Sequence, residues 1–286
     1  MANTITKYTD SQIMKALLTR DFSGIGGEFV DDMITSVKAA AFMGAANLTK
    51  VSLPNLKEVR YQAFANTSIA NLDIPWSKLE SLGGGAFMGA SGLPQDLVLP
   101  KATAINSSVF AGTSSARNTQ IRSVSLPVWT GSTLTEQGFS SSSSGLFAYC
   151  SALTRIEAPM LQTMPNQMLY YCAALEEVNF PKVSTVNSGA FAYCTKLKKI
   201  DLGGPITRLS STIFSNCSAL QAIILRGVTT VPTLSTTVFS STNVSKKTAY
   251  IYVPKALEET FKVAANWSTY ATQIRAIEDY PDICGS

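Results

Sequence analysis

The sequence predicts a solenoid, an α/β fold that is mainly β, in which about nine coils of 22 to 25 residues stack and each lends one strand to a parallel sheet. Three observations predict it. Phenylalanine recurs at near-constant spacing through most of the chain. An alternating apolar pair follows each phenylalanine at a fixed distance and is often closed by proline. A small residue, cysteine in four successive copies, holds one position of the same frame.

The frame is set by Phe42, Phe64, Phe87, Phe110, Phe147, Phe191, Phe214 and Phe239, with Leu169 filling one gap. The intervals are 22, 23, 23, 37, 22, 22, 23 and 25 residues. Five residues before the anchor stands an aliphatic residue: Val37, Val59, Leu82, Ile105, Met164, Val186, Leu209 or Leu234. After it comes a leucine and then a pair such as Val51/Leu53, Val178/Phe180, Ile200/Leu202 or Ile251/Val253. This apolar–polar alternation is the pattern of a short strand with one face inward. Pro54, Pro75, Pro100, Pro127, Pro159, Pro181 and Pro254 then end the strand, because proline offers the ladder no donor. One such coil cannot bury its own apolar side. Stacked coils can, and like residues then form columns.

The units "GLFAYCSALTRIEAP" (145–159) and "GAFAYCTKLKKIDL" (189–202) resemble the BspA-type leucine-rich repeat, and the resemblance runs from about residue 30 to 254. It implies a curved leucine-rich repeat solenoid with a parallel sheet on one face and loops or short helical turns on the other. It also implies a protein that binds other macromolecules and is not an enzyme. Such proteins stand on bacterial or protozoan surfaces or are encoded by phages of gut bacteria.

Terminal coils need caps. Residues 1–29 read as an N-terminal helical cap, with Ile13, Met14, Leu17 and Leu18 at helical spacing and Thr9 or Asp10 as N-cap. Residues 30–254 are the solenoid. Residues 255–286 are a C-terminal helical cap and tail, with one helix around Leu257 and Phe261, a turn near Asn266, and a second helix capped by Ser268. The long Phe110–Phe147 interval holds polar insertions near 113–119 and 131–145, read as tolerated loops or as contact loops beside the sheet.

Composition excludes several functions. Charged residues are 15% of the chain and the net charge is +4, scattered rather than striped, which argues against nucleic acid. There is no histidine, so Ser-His-Asp and Cys-His catalysis and His-ligated metals are out. No run of 18 apolar residues spans a membrane, and Met1–Asp10 carries no apolar signal region. The six N-x-S/T sequons are expected by chance in a chain with 62 serines and threonines.

Cys150, Cys172, Cys194 and Cys217 fall one per coil at a position held elsewhere by Ala45, Thr67, Ala90 and Thr113. That gives a column of small buried side chains, not a tetrahedral metal cage. Free thiols and no metal are expected, with Cys284 exposed in the tail. Tyr149, Tyr171 and Tyr193 share a position held elsewhere by Gly44, Asn66, Gly89, Gly112 and Asn216, which suggests partial exposure. They read either as a mutual stack or as a binding patch for a protein or a surface glycan. The outward strand positions, with Glu157, Asn179, Asp201 and Ile224, and the neighbouring Lys198 and Lys199, form a mixed face. It reads as ordinary solvation or as a polar recognition surface.

The expectation is a non-enzymatic recognition or structural protein with no cofactor. Its setting is a phage or prophage virion, tail-associated or capsid-decorating and touching a host surface or other virion proteins. The alternative is a bacterial surface adhesin. A polysaccharide-active enzyme would need two carboxyl groups about 5–10 Å apart across a cleft, which a regular solenoid lacks. Low charge and exposed edges also allow self-association, and nothing in the sequence counts subunits.

Overall fold

The computed structural model describes residues 27–131 and 145–285. The helix expected over 10–19 and the serine run 140–144 lie outside the described residues.

Three hydrogen-bonded columns run along the stack. The first is the column of longer strands, paired in parallel as three successive sheets of three, three and five strands. Its register carries Phe29 against Val51 and Leu72, then Leu97 against Val124 and Ile156, then Val178 against Ile200, Ile223, Ile251 and Ile274. Strands stop where proline follows: Glu177–Phe180 precedes Pro181, and Tyr250–Val253 precedes Pro254. The second column is made of two-residue strands that end on the aliphatic position, pairing Val37 with Val59, Leu82 with Ile105, and Val186 with Leu209. The third column is the turn that carries phenylalanine.

The turn column has its own hydrogen-bond rule. Within one coil, the N–H groups just before, just after and three past the anchor close local turns, as Ala63 does to Arg60, Ala65 to Gln62 and Ala45 to Phe42. The alternate N–H groups reach the next coil: Gln62 to Gly84 O, Phe64 to Ala86 O and Asn66 to Met88 O. The pattern recurs at Gln167, Leu169 and Tyr171, which bond Ser188, Ala190 and Ala192. In most coils this alternation comes with a left-handed residue two before and two after the anchor. Gln62 and Asn66 have φ of 50° and 53°, Gly85 and Gly89 62° and 66°, and Gln167 and Tyr171 54° and 60°.

The phenylalanines form one internal file. Phe42, Phe64, Phe87, Phe110 and Phe147 stack with centroids 5.0, 5.3, 5.6 and 5.6 Å apart and rings within 6° of parallel. After Leu169 the file resumes through Phe191, Phe214 and Phe239 at 5.6 and 5.9 Å. Edge-on aromatics close both ends. Phe29 meets Phe42 at 68°, and Tyr270 meets Phe239 at 82°. An edge-on ring covers the free face of the last stacked ring and leaves no face for another coil.

Two elements extend the sheet beyond the nine expected strands. Glu28–Val30 adds one ahead of Lys50–Ser52, inside the segment assigned to the N-terminal cap. Ile274–Ala276 adds one after Tyr250–Val253, where the sequence suggested helix. The C-terminal segment is accordingly only partly helical. An α-helix spans Glu258–Val263, and Ser268–Gln273 is a 3-10 turn in which Ser268 is the first residue, not the cap. Trp267 precedes it and is buried because its indole N–H donates to Pro232 O at 2.6 Å.

The larger insertion leaves and rejoins the stack at two glycines that touch the next coil's backbone. A Cβ on Gly131, whose φ is 96°, would fall 2.0 Å from Thr163 O, and one on Gly145 would fall 1.7 Å from Gln167 O. Phe110 and Phe147 accordingly stack as their neighbours do, although 37 residues separate them in sequence.

Replacing Phe87 or Phe191 with alanine removes a fully buried ring from the middle of the file. Chemical denaturation should report a loss of about 3–5 kcal/mol for each. A loss below about 1 kcal/mol would show that the file does not carry the core.

Candidate functional site

The turn side presents four tyrosines at one place. Tyr149, Tyr171 and Tyr193 stack along the coil axis, with centroids 5.3 and 4.5 Å apart and rings within 18° of parallel. Tyr170 stands across all three at 5.2 to 5.4 Å, with interplanar angles of 63° to 79°. Arg117, from the smaller insertion, lays its guanidinium 5.2 Å from the Tyr171 centroid. All four tyrosines are half-buried, so the cluster is an open aromatic surface.

The structure brings the three predicted tyrosines together and bears out the partial exposure of their position: Gly44, Asn66 and Gly89 are exposed, and Asn216 and the three tyrosines half-buried. It adds a second reason for glycine and asparagine there, a positive φ. Asn66 and Asn216 have φ of 53° and 60°, and Tyr149, Tyr171 and Tyr193 are held at 60°, 60° and 63°. A bulky side chain in this region costs about 1–2 kcal/mol, whereas glycine and asparagine enter it readily. Ring stacking worth roughly 0.5–1.5 kcal/mol per pair offsets part of that cost.

Sequence reasoning missed Tyr170 and Arg117. Tyr170 follows the Leu169 anchor directly, at a position where neighbouring coils carry Ala148 and Ala192. The Tyr170–Tyr171 doublet was the available signal. Burial pushes the Tyr170 phenol up to about 12, helped by the neighbouring phenols of Tyr149 and Tyr193 and by a hydrogen bond to Tyr149.

The second predicted set divides. Glu157, Asn179, Lys199 and Asp201 line one hollow on the strand face, between Pro127, Pro159 and Pro181. Lys198 points aside and binds Glu176 at 2.7 Å. Glu157 binds Arg155. Asp201 is not a solvated outward residue: it is 7% exposed and accepts two hydrogen bonds from Arg226 Nε at 2.9 and 3.1 Å.

The C-terminal tail covers the sheet beside this pair. Arg275 sits with its guanidinium 3.2 Å from the Tyr250 centroid and 4.8 Å from that of Tyr280. The short Pro281–Cys284 helix is thereby laid on the outer face of the sheet, where Ile224, Tyr252 and Cys284 pack together. Ile224, expected outward, is fully buried, and Cys284, expected exposed, is 3% exposed.

Cys150, Cys172, Cys194 and Cys217 stack as a buried column of free thiols. Each donates to the carbonyl at the anchor position of the preceding coil: Phe110, Phe147, Leu169 and Phe191, at 3.4, 3.3, 3.1 and 3.1 Å. The carbonyls of Phe147, Leu169 and Phe191 already close a local turn, and that of Phe110 accepts from the Asn118 amide, so the thiol fills the second lone pair. Desolvation raises all four pKa values, which keeps the thiols protonated. Among the described residues, no group of histidine, cysteine, aspartate or glutamate is placed to hold a metal ion. No helix among them is long and apolar enough to cross a membrane.

With this geometry in view, the similarities are direct. A sequence profile for the BspA type leucine rich repeat region, six copies, matches residues 29–142 and 140–265. The chain belongs to the BspA-type leucine-rich repeat family. Its fold is similar to that of a leucine-rich repeat protein from Bacteroides ovatus, with 22% identity and a TM-score of 0.59 over 84% of this chain and 57% of that one. It is similar also to the pneumococcal vaccine antigen PcpA, with 16% identity and a TM-score of 0.52 over 87% of this chain and 65% of that one. The chain thus spans somewhat more than half the length of these relatives. No curated protein matches it in sequence.

Two outcomes test the site as described. In a phenolate absorbance titration of the native protein, Tyr170 should ionise last, near pH 12. A phenol whose folded pKa is raised stabilises the fold below its unfolded value of 10.0, and that contribution is lost as pH climbs from 10 to 12. A Tyr170→Phe variant should therefore unfold less steeply across that interval. Separately, a thiol reagent should label none of the five cysteines quickly in the native protein and all five in denaturant. Fast native labelling of Cys172 or Cys194 would contradict the hydrogen-bonded column.

Proposed function

We propose that this chain is a non-enzymatic recognition protein and that the tyrosine cluster on its turn side is the contact surface. The supporting observation is the left-handed backbone of Tyr149, Tyr171 and Tyr193. The same frame position is served by Gly44, Asn66, Gly89 and Asn216 elsewhere, so the fold does not require aromatic rings there. Three consecutive coils bear the strain and carry the ring type that dominates binding hot spots. The partner is a macromolecule of a host surface, protein or glycan, and the setting is a virion component, tail-associated or capsid-decorating.

The carboxylates of the strand face support a non-catalytic reading. Glu157 and Asp201 line the same hollow, but each holds an arginine. A general acid needs a carboxyl kept away from cations.

The test is binding of the labelled chain to a panel of intact bacterial cells, wild type against Tyr149→Asn/Tyr171→Asn/Tyr193→Asn. Asparagine is native at this position in Asn66 and Asn216, so the variant should fold. Binding should fall about tenfold or more while the unfolding midpoint changes little. Equal binding by the two proteins, or no binding by either, overturns the proposal. Immunoblots of purified phage particles and of intact bacterial surfaces then separate the virion setting from a bacterial adhesin.

A further inference from the structure

We infer that a hollow at the edge of the tyrosine cluster takes an uncharged sugar ring of a surface glycan. This rests on the tyrosine face being the recognition surface and goes further by assigning the chemistry of the ligand.

The hollow is built by a local drop in side-chain size. Three coils contribute to it, and at the position two before the anchor they carry Gln167, Gly189 and Thr212. At the position after the anchor they carry Tyr170, Ala192 and Ser215. The middle coil is therefore the small one at both places, and a cavity of about 380 Å³ opens between its neighbours. That lies at the small end of the roughly 300–1,000 Å³ found for ligand sites, enough for one or two sugar rings. Gly189 matters to the opening. A Cβ there would come within 3.3 Å of Gln167 Cγ and 3.9 Å of Thr212 Oγ1, so any side chain would fill the space between them.

The lining selects the ligand. Tyr170 and Tyr193 supply aromatic surface, set at 70° to each other with centroids 5.4 Å apart. Asn166, Gln167, Ser188 and Thr212 supply amide and hydroxyl groups on the other sides. No lysine, arginine, aspartate or glutamate lines the hollow. Arg117 stacks on Tyr171 and is not part of the lining. An anionic sugar or an acidic peptide would shed water here with no cation to receive it, and a cationic group would find no carboxylate. A neutral pyranose fits both halves of the site. Its C–H face lies on an aromatic ring, and its hydroxyls meet neutral donors and acceptors. The hydroxyls are already preorganised: Ser188 Oγ donates to Ser211 O at 2.9 Å and lies 3.3 Å from Thr212 Oγ1.

The experiment is a glycan array followed by saturation-transfer NMR on the hits, with neutral oligosaccharides set against sialylated and uronic-acid glycans. The wild type should bind neutral glycans. Gly189→Asn, which tolerates the φ of 65° at that site while projecting a side chain into the hollow, should weaken binding about tenfold or more with an unchanged unfolding midpoint. Gln167→Gly, which suits the φ of 54°, should weaken it by removing an amide without straining the turn. Preference for acidic glycans, absence of any neutral hit, or full binding by Gly189→Asn overturns the inference. If the array is blank but the triple tyrosine variant still loses cell binding, the tyrosine face stands with a protein partner and only the sugar site falls. If the triple variant binds cells like the wild type, both fall.

Discussion

Alternate N–H groups on the turn side serve two coils at once, and this division sets the geometry of the molecule. One set closes the turn within a coil, and the other reaches the carbonyls of the coil above. The backbone donors around each anchor are thereby satisfied without a long strand, which matters because the anchor and its neighbours are buried against the phenylalanine file. The anchor N–H belongs to the second set, so each ring is fixed directly above the last. The regular ring spacing follows from backbone bonding, and the core inherits it.

The same division places left-handed residues two before and two after most anchors, and this is where sequence and function separate. At the later position, coils outside the tyrosine run meet the demand with Gly44, Asn66, Gly89, Asn216 and Ser241. Where the demand is met by tyrosine, the cost is not forced by the fold. The strain is local, repeated in three adjacent coils, and coincides with a fourth tyrosine that no coil requires. A cost of this kind that neighbouring coils avoid points to selection for the rings themselves.

The repeat was legible because stacking makes like positions equivalent. An anchor that is phenylalanine in all coils but one, a small residue that is cysteine in four, and one alternating pair per coil read directly as columns, and the strands, prolines and buried thiols lie where that frame puts them. What the frame could not supply was anything outside its period. Ile274–Ala276 joins the sheet although it follows no anchor, because a parallel edge next to Tyr250–Val253 pairs with any extended segment that reaches it. Ile224 and Cys284 were misplaced for one common reason, and Asp201 because Arg226 holds it. The tail that packs Cys284 on Ile224 is tied down by Arg275 between Tyr250 and Tyr280, a contact between an arginine and two rings far apart in sequence. The glycine and asparagine position was visible, and its composition reports left-handed backbone as well as exposure.

These placements bear on which face of the solenoid is free to act. On the strand face, Arg155 holds Glu157, Glu176 holds Lys198 and Arg226 holds Asp201, so the charges largely answer one another. The Pro281–Cys284 helix then covers the face over Ile224 and Tyr252. A surface charge already paired within its own chain gives an incoming partner little, since the existing pair must be broken first. On the turn side the tyrosines are packed against one another but stay half-exposed, and their order is set by backbone bonds that binding would not disturb. A rigid aromatic surface loses little side-chain freedom when a ligand settles on it, which favours the turn side as the face that binds.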